Sequence, residues 1–493
     1  MTSGRGTYDT VIVGGGHNAL TAAAYLARAG QRVLLLERLD VLGGAAISAP
    51  AFEGVDARLS RYSYLVSLLP RQIIDDLGLS VQLTRRKYAS YTPDPTNDGR
   101  SGFLASTNDF AEFGAMCATV TGPLWDSMLA PLATRSRLRT GAWSQLIETP
   151  IGGAIRSATP DDLQRGVLLT DALIGTFSSA DDPSLQQNIC FLYHQMNPWD
   201  VPTGGMGAVT GSLQSAARRH GAELHTGAEV LTINPDGEVR YRIGDKELVA
   251  VGGHILSGVT PTVLARLLGE DPPHSQPGAQ VKVNLLLTRL PRLRDESVTP
   301  EQAFGGTFHI NETYTQLENA HRQASRGEIP DPLPCEIYCH SLADPSILSP
   351  ALRASGAQTL TVFGLHTPHG LDATREQLQD AVLRSLNSVL AEPITDVVST
   401  DSQGRPCIET KTTTDLEDAL GMTAGNIFHG GLQWPFAEDD EPLDTPARRW
   451  GVATNHDRIV LCGSGSRRGG GVSGLGGYHA ARAVLETSPR EGN

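Results

Sequence analysis

Lysine is nearly missing from this chain, with four residues against 36 arginines. Acids outnumber bases, 54 to 40, for a formal charge of −14. That balance excludes nucleic acid as an expected partner, since a polyanion needs a basic face. A peripheral membrane contact stays open, but nothing in the sequence points to one. Aromatic residues are scarce, at 5%. The six cysteines (Cys117, Cys190, Cys335, Cys339, Cys407, Cys462) are scattered and form no C-x-x-C. Cys335 and Cys339 stand at i and i+4 of a strand-like "CEIYC", on one face but poorly placed to bond. A reducing compartment is the expectation. No 18-residue apolar run occurs, and the residues before the first strand lack an apolar targeting core. Neither a spanning helix nor a signal peptide is expected, and the expected location is the cytoplasm. Repeats, metal-ligand clusters, Ser-His-Asp arrangements and a P-loop are lacking too, so no metal is expected.

Glycine is plentiful, with 53 residues, and two runs of it stand out near opposite ends. The first is "VIVGGGHNAL". Tyr8 to Val13 reads as a short buried strand, "HNALTAAAYLARAG" as a helix and "QRVLLLE" as a second strand, which together make one βαβ unit. Gly14, Gly16 and Ala19 satisfy G-x-G-x-x-G/A between strand and helix. The first permits the turn, the second the approach of a pyrophosphate and the third close helix–strand packing. His17 and Asn18 open the helix. Glu37, followed by Arg38, ends the second strand where a carboxylate accepts ribose hydroxyls and disfavours a 2′-phosphate. FAD or NAD is the expected ligand, with a plain packing turn as the alternative. The second run, "RRGGGVSGLGGYHAARAVL", also leads from glycines into a helix-forming stretch.

"ERLDVLGGAA" sets Gly43 and Gly44 six and seven residues beyond Glu37. Here the chain resembles the amine oxidase–phytoene desaturase flavoprotein superfamily, in which such a pair passes close to the FAD phosphates. Where many members have Arg after the pair, this chain has Ala45. The resemblance implies an α/β fold. Its Rossmann-like FAD-binding domain is discontinuous, made of N- and C-terminal segments, and interleaved with a substrate domain of antiparallel sheet plus helices. "RIVLCGSGSRRGGGVSGLGGYHAA" is similar to the returning C-terminal segment. Gly463 would end the strand, and Ser464, Gly471, Val472 and Ser473 would lie at the flavin. Val472 to Gly474 would open a helix aimed at the flavin carbonyl edge. On this reading the two glycine runs serve two ends of one non-covalently held FAD.

The resemblance narrows to the branch of phytoene desaturases, retinol saturases and pyridine nucleotide-disulphide oxidoreductase domain proteins, on "SRYSYLVSLL", "PTGGMGAV", "GNIFHGG" and "LCGSGSRRGGGVSG". Arg467 and Arg468 replace a His-Pro found in many relatives, and the segment from Arg100 to Phe177 is short for the branch. The implied organisation is FAD-binding over 1–90, a helical cap over 91–200, FAD-binding again over 201–270, a substrate domain over 271–425 and the flavin-covering segment over 426–493. Leu77 to Tyr88 reads as alternating strand and turn, and Asp109 to Phe177 as mainly helical. "AEVLTI", "GHILSGV", "AQVKVNLLLTRL", "QTLTVFGLHT" and "DRIVLCGSG" read as strands, and "ATREQLQDAVLRSLNSVLA" as an amphipathic helix.

The resemblance also nominates residues. Val230 and Gly258 fall where relatives contact the cofactor, and Ser60, Arg61 and Tyr62 where they line the flavin's front. Lys282 in "QVKVNLLL" is similar to the amine-oxidase lysine that holds a water at the flavin, with a solvent-facing strand residue as the alternative. His429 in "GNIFHGG" could exchange a proton with substrate, or be an ordinary hydrogen-bonded loop histidine. "GGMGAV" follows no buried strand, so a separate NAD site is not expected there.

The resulting expectation is an FAD-dependent oxidoreductase of phytoene desaturase type acting on C–C bonds of a hydrophobic, polyene-like small molecule. Desaturation, saturation, isomerisation and reductive cyclisation, as in bacterial secondary metabolism, are all open, and the oligomeric state does not follow. One rival is amine-oxidase-type C–N oxidation with O₂, marked by an aromatic cage. The other is a non-catalytic flavin-fold interaction protein with a closed cleft.

Overall fold

The computed structural model describes residues 5–66, 68–106 and 108–487. Strand β1 (Arg5–Val13), helix α1 (His17–Arg28) and strand β2 (Val33–Leu36) form the opening βαβ unit. The two strands pair in parallel with Val11 beside Leu34. β2 is apolar throughout and buried throughout, as a strand covered on both faces must be.

On its other side β1 pairs in parallel with the long strand Lys246–Ser257, whose end in turn pairs with Ile459–Leu461. Chain connections therefore depart in opposite directions on the two sides of the junction between β1 and this long strand. Such a switch point opens a crevice at the carboxyl ends of the strands. Strands Ala228–Ile233 and Glu238–Ile243 extend the sheet as antiparallel neighbours, and Glu223–His225 borders β2.

α1 owes its position to small side chains. Ala22, Ala23 and Ala24 are wholly buried, and helices Met206–Arg219 and Leu475–Thr487 pack against it. At Gly477 an added Cβ would lie 1.8 Å from Asn18 O, so only glycine permits this approach.

A second seven-stranded sheet is mostly antiparallel, and Gln280–Leu287, Gln358–Leu365 and Cys335–Tyr338 lie side by side within it. Its apolar face is closed by the helix Arg375–Val389, which starts on a capping box of Thr374 and Gln377. Helices Ala111–Ser127, Ile151–Ala158, Asp162–Thr170 and Gln186–Gln195 form a third body around Trp143, Phe191 and Leu169. No helix among the described residues is long and apolar enough to cross a membrane.

The α/β class with a Rossmann-like unit and a separate antiparallel sheet is what the sequence led us to expect. Several elements differ. Leu77 to Tyr88 holds the end of a helix (Arg71–Leu77) and only a two-residue strand, Leu83–Thr84. The hairpin of Ser90–Pro93 and Gly102–Ala105 joins the edge of the antiparallel sheet, so residues 91–105 do not belong to a purely helical cap. The final helix starts at Leu475, later than Val472, because Gly474 has a positive φ of +73°.

Candidate functional site

The crevice at the switch point widens into one cavity of about 460 Å³. Gly14 to Ala19 and Glu37 line one end, and Tyr62, Tyr64, His194, Trp199 and Phe428 line the other. Gly463, Ser464, Gly471 and Val472 also reach it.

At the glycine end, Gly14 takes a φ of +93°, and its N–H donates to Leu36 O at 2.8 Å. A Cβ on Gly258 would sit 3.1 Å from the Ala19 Cβ, so a glycine here lets the neighbouring strand end lie close to α1. α1 begins after Gly16 with no side-chain cap, so its first N–H groups are left for a ligand. A Cβ built on Gly16 meets nothing within 4 Å. Glycine here holds space open.

Glu37 is anchored by the backbone it orders. Its Oε2 accepts from Gly15 N at 2.7 Å and its Oε1 from Leu39 N at 2.8 Å. Each oxygen retains a lone pair at the cavity surface. Gly43 N donates to Gly15 O at 2.9 Å, and a Cβ on Gly44 would stand 3.2 Å from Gly16 Cα. The second glycine pair therefore braces the first turn. Ala45, Val230 and Gly258 line the cavity. Arg38 does too, while its guanidinium donates to Ala419 O at 3.1 Å.

The late glycine run docks on the start of α1. His17 Nε2 donates to Gly471 O and Asn18 Nδ2 to Gly469 O, both at 2.9 Å. Among the described residues that line the cavity, four carry a buried, unpartnered polar atom: Asn18 Oδ1, Ser63 Oγ, Gln280 Oε1 and His429 Nδ1. Unsatisfied buried groups are costly, which marks these as contacts a bound ligand would complete. Burial lowers the His17 pKa to about 4. Burial, and then the neighbouring His17 ring, lower His429 to about 4 as well. Both rings are neutral at neutral pH.

Other expected site residues lie elsewhere. Ser473 is wholly buried off the cavity, where its Oγ accepts from Leu475 N at 3.2 Å. Gly43 supports the wall without lining it. Arg61 pairs with Glu409, and neither Arg61 nor Ser60 faces the cavity. Lys282 is neither solvent-facing nor on the cavity. It is 4% exposed, and its Nζ donates to Ser60 O at 2.6 Å and Ser63 O at 2.7 Å. Of that group, Tyr62 alone reaches the cavity.

The aromatic end escaped sequence reading. Tyr64 and Trp199 stack with centroids 5.7 Å apart, and His194 stacks on Trp199 at 4.7 Å. Trp199 Nε1 donates to His194 O at 2.9 Å. The spacing in "HQMNPW" was the available signal, but bulk aromatic content said nothing about where the rings gather. Behind this wall Tyr338 donates to Glu336, and His309 meets Glu312 at 2.7 Å. None of the six cysteines, all free and buried, lines the cavity.

Comparison with known proteins agrees with this architecture. Residues 12–70 match the model of the NAD(P)-binding Rossmann-like domain. An uncharacterized protein of Mycobacterium tuberculosis is 58% identical, over 97% of each chain. The rat pyridine nucleotide-disulfide oxidoreductase domain-containing protein 2 is 27% identical, covering 97% of this chain and 93% of its own. Among solved structures, cyclohexylamine oxidase from Brevibacterium oxydans superposes with a TM-score of 0.56 at 15% identity, covering 97% of this chain and 99% of that one. An oxidoreductase from Methanosarcina mazei gives 0.57 at 16% identity, covering 97% and 99%. A wall of glycines, an acid at the end of β2 and a late strand closing over α1 are thus set in a fold shared with cyclohexylamine oxidase, and the chain belongs to the family of the mycobacterial protein.

Proposed function

We propose that the protein is an FAD-dependent oxidoreductase acting on a compact hydrophobic small molecule. The observation that carries this reading is a single cavity with an uncapped helix N-terminus at one end and stacked aromatic rings at the other. The residues suit FAD. The α1 N–H groups and Gly16 would take the pyrophosphate, Glu37 the ribose, and Val230 the adenine side, while Asn18, His429 and the late glycine run would meet the flavin half. When bound, the flavin supplies hydride exchange with the substrate. The chain's own part is to exclude water with Tyr64, Trp199 and Phe428, and to offer the neutral His429 ring for proton exchange.

We assign the reaction to C–C bonds, as a desaturation or its reverse. The aromatic end favours C–N oxidation as a second reading. Against a charged amine, the carboxylates that line the cavity are Glu37, Glu229, Glu417 and Asp418, and Glu37 is already committed to Gly15 N and Leu39 N at the glycine end.

Purified protein should be yellow and release FAD on denaturation, as chromatography of the supernatant would show. FMN or no flavin would sink the proposal. Glu37→Ala should weaken FAD binding by about 1.5–3 kcal/mol, the scale of a charge-assisted hydrogen bond. Anaerobic bleaching of the flavin by conjugated alkenes, set against bleaching by cyclic amines, separates the two readings.

A further inference from the structure

Lys282 is one of four lysines in the chain, and it sits where a cation is costly. The strand Gln280–Leu287 is buried along its whole length. Val281, Val283 and Leu285 turn one face into the apolar core of the antiparallel sheet, so Gln280, Lys282 and Asn284 share the other. This polar stripe runs directly behind the aromatic end of the cavity. Gln280 lines the cavity. Asn284 is held by Thr361 and Glu409, at 2.9 and 3.2 Å.

Between them, the Lys282 ammonium is occupied. Two N–H groups go to Ser60 O and Ser63 O, the two ends of the turn that carries Arg61 and Tyr62. Its Nζ lies 5.3 Å from the centroid of Phe363. The same ring meets Tyr64 edge-on at 5.1 Å, and Tyr64 stacks on Trp199. The Arg61–Glu409 pair ties the same turn to the neighbouring strand Ile408–Lys411.

We propose that Lys282 is a positioning residue, pinning the Ser60–Ser63 turn from behind and so setting where Tyr62 and Tyr64 stand in the cavity. It acts on the wall and does not touch the reacting atoms. An amine that has lost its proton keeps two N–H donors, so the pin does not depend on charge alone. The assignment goes beyond the FAD reading and does not require it.

Trypsin supplies a direct test, because the bond after Arg61 lies inside the pinned turn. In the full-length protein, with and without added FAD, Lys282→Met should speed cleavage after Arg61 at least tenfold, followed by mass spectrometry of the fragments. The near-ultraviolet circular dichroism of the Tyr64–Trp199 stack should fall with it, its contribution having been identified with Trp199→Phe. Lys282→Arg should restore both signals in large part. If Lys282→Met does not fold, Lys282→Gln, which keeps one donor group, is expected to show the same two changes at smaller size. Wild-type cleavage and dichroism in whichever of these variants folds would overturn the proposal. So would slowed reoxidation of dithionite-reduced flavin by O₂ with an unaltered turn, which would put the lysine at the reacting centre. Failure to load FAD leaves the protease readout intact, so the two proposals fail separately.

Discussion

Gly16 and Glu336 show what a single residue contributes here, one by leaving room and the other by holding a proton. A methyl group at Gly16 would meet no protein atom, and the residue's φ of −67° suits alanine. Gly16→Ala should therefore cost the empty protein under about 1 kcal/mol, as a change of N-cap residue does. Its FAD affinity should fall at least about tenfold, or ~1.4 kcal/mol, because the methyl occupies the ligand's approach. Thermal melts of the empty protein beside a flavin fluorescence titration would check the pair. Glu336 is buried, and burial, opposed by His309 and reinforced by Glu312, raises its pKa to about 8. In the unfolded chain it ionises at about pH 4.3. Between those values the unfolded state has released a proton that the folded state keeps, so stability falls as pH rises from about 4.3 to 8. Lys282 runs the other way. Burial lowers it to about 7, so stability rises with pH from there to its unfolded value of about 10.4. Urea melts across pH should show Glu336→Gln flattening the first window and Lys282→Met the second.

Among the elements, the meeting of α1 with the helix Leu475–Thr487 is the least tolerant. Gly477→Ala would drive a methyl into Asn18 O, and shifts forced by overpacking cost about 1–3 kcal/mol. Calorimetry should show a lowered Tm for that variant even without FAD, in contrast to Gly16→Ala. The opening βαβ unit was legible because every signal in it is local: a buried strand, a turn needing positive φ, an alanine-rich helix and an acid at a fixed remove. The return of the closing strand was legible through the family pattern, whereas the docking of Gly471 on α1 emerged only in the structure. Ser473 was misplaced because Gly474 bends the chain before the helix begins, turning the serine into the helix start. The strand Gln280–Leu287 misled differently. Alternating polar residues usually mark a solvent face, but the turn Ser60–Ser63 covers that face from more than 200 positions away. No window of sequence contains that information. The aromatic end was hidden for the same reason, since Tyr64, Trp199, Tyr338 and Phe363 meet only after separate segments have folded together.

On the scale of the whole molecule, the mixed sheet that holds β1 and β2, the mostly antiparallel sheet and the helical body meet around one cavity, so ligand and fold are thermodynamically linked. FAD at about a hundred times its Kd should add ~2.7 kcal/mol to the stability of the fold. A rise in Tm of a few degrees, cut to about half or less in Gly16→Ala at the same FAD concentration, would register it. The late position of Ile459–Leu461 has a consequence for biosynthesis. That strand fills the side of Ile255–Ser257, and the residues just after it complete the wall over α1. A nascent chain still short of residue 472 carries the G-x-G-x-x-A turn and Glu37 but only part of a cavity. On the FAD proposal, firm capture of the cofactor is expected only after translation has passed this point, and a product cut off earlier should purify colourless. Yellow colour would then certify a chain made to that point, a quality mark that the cell or the purifier can read without knowing the substrate.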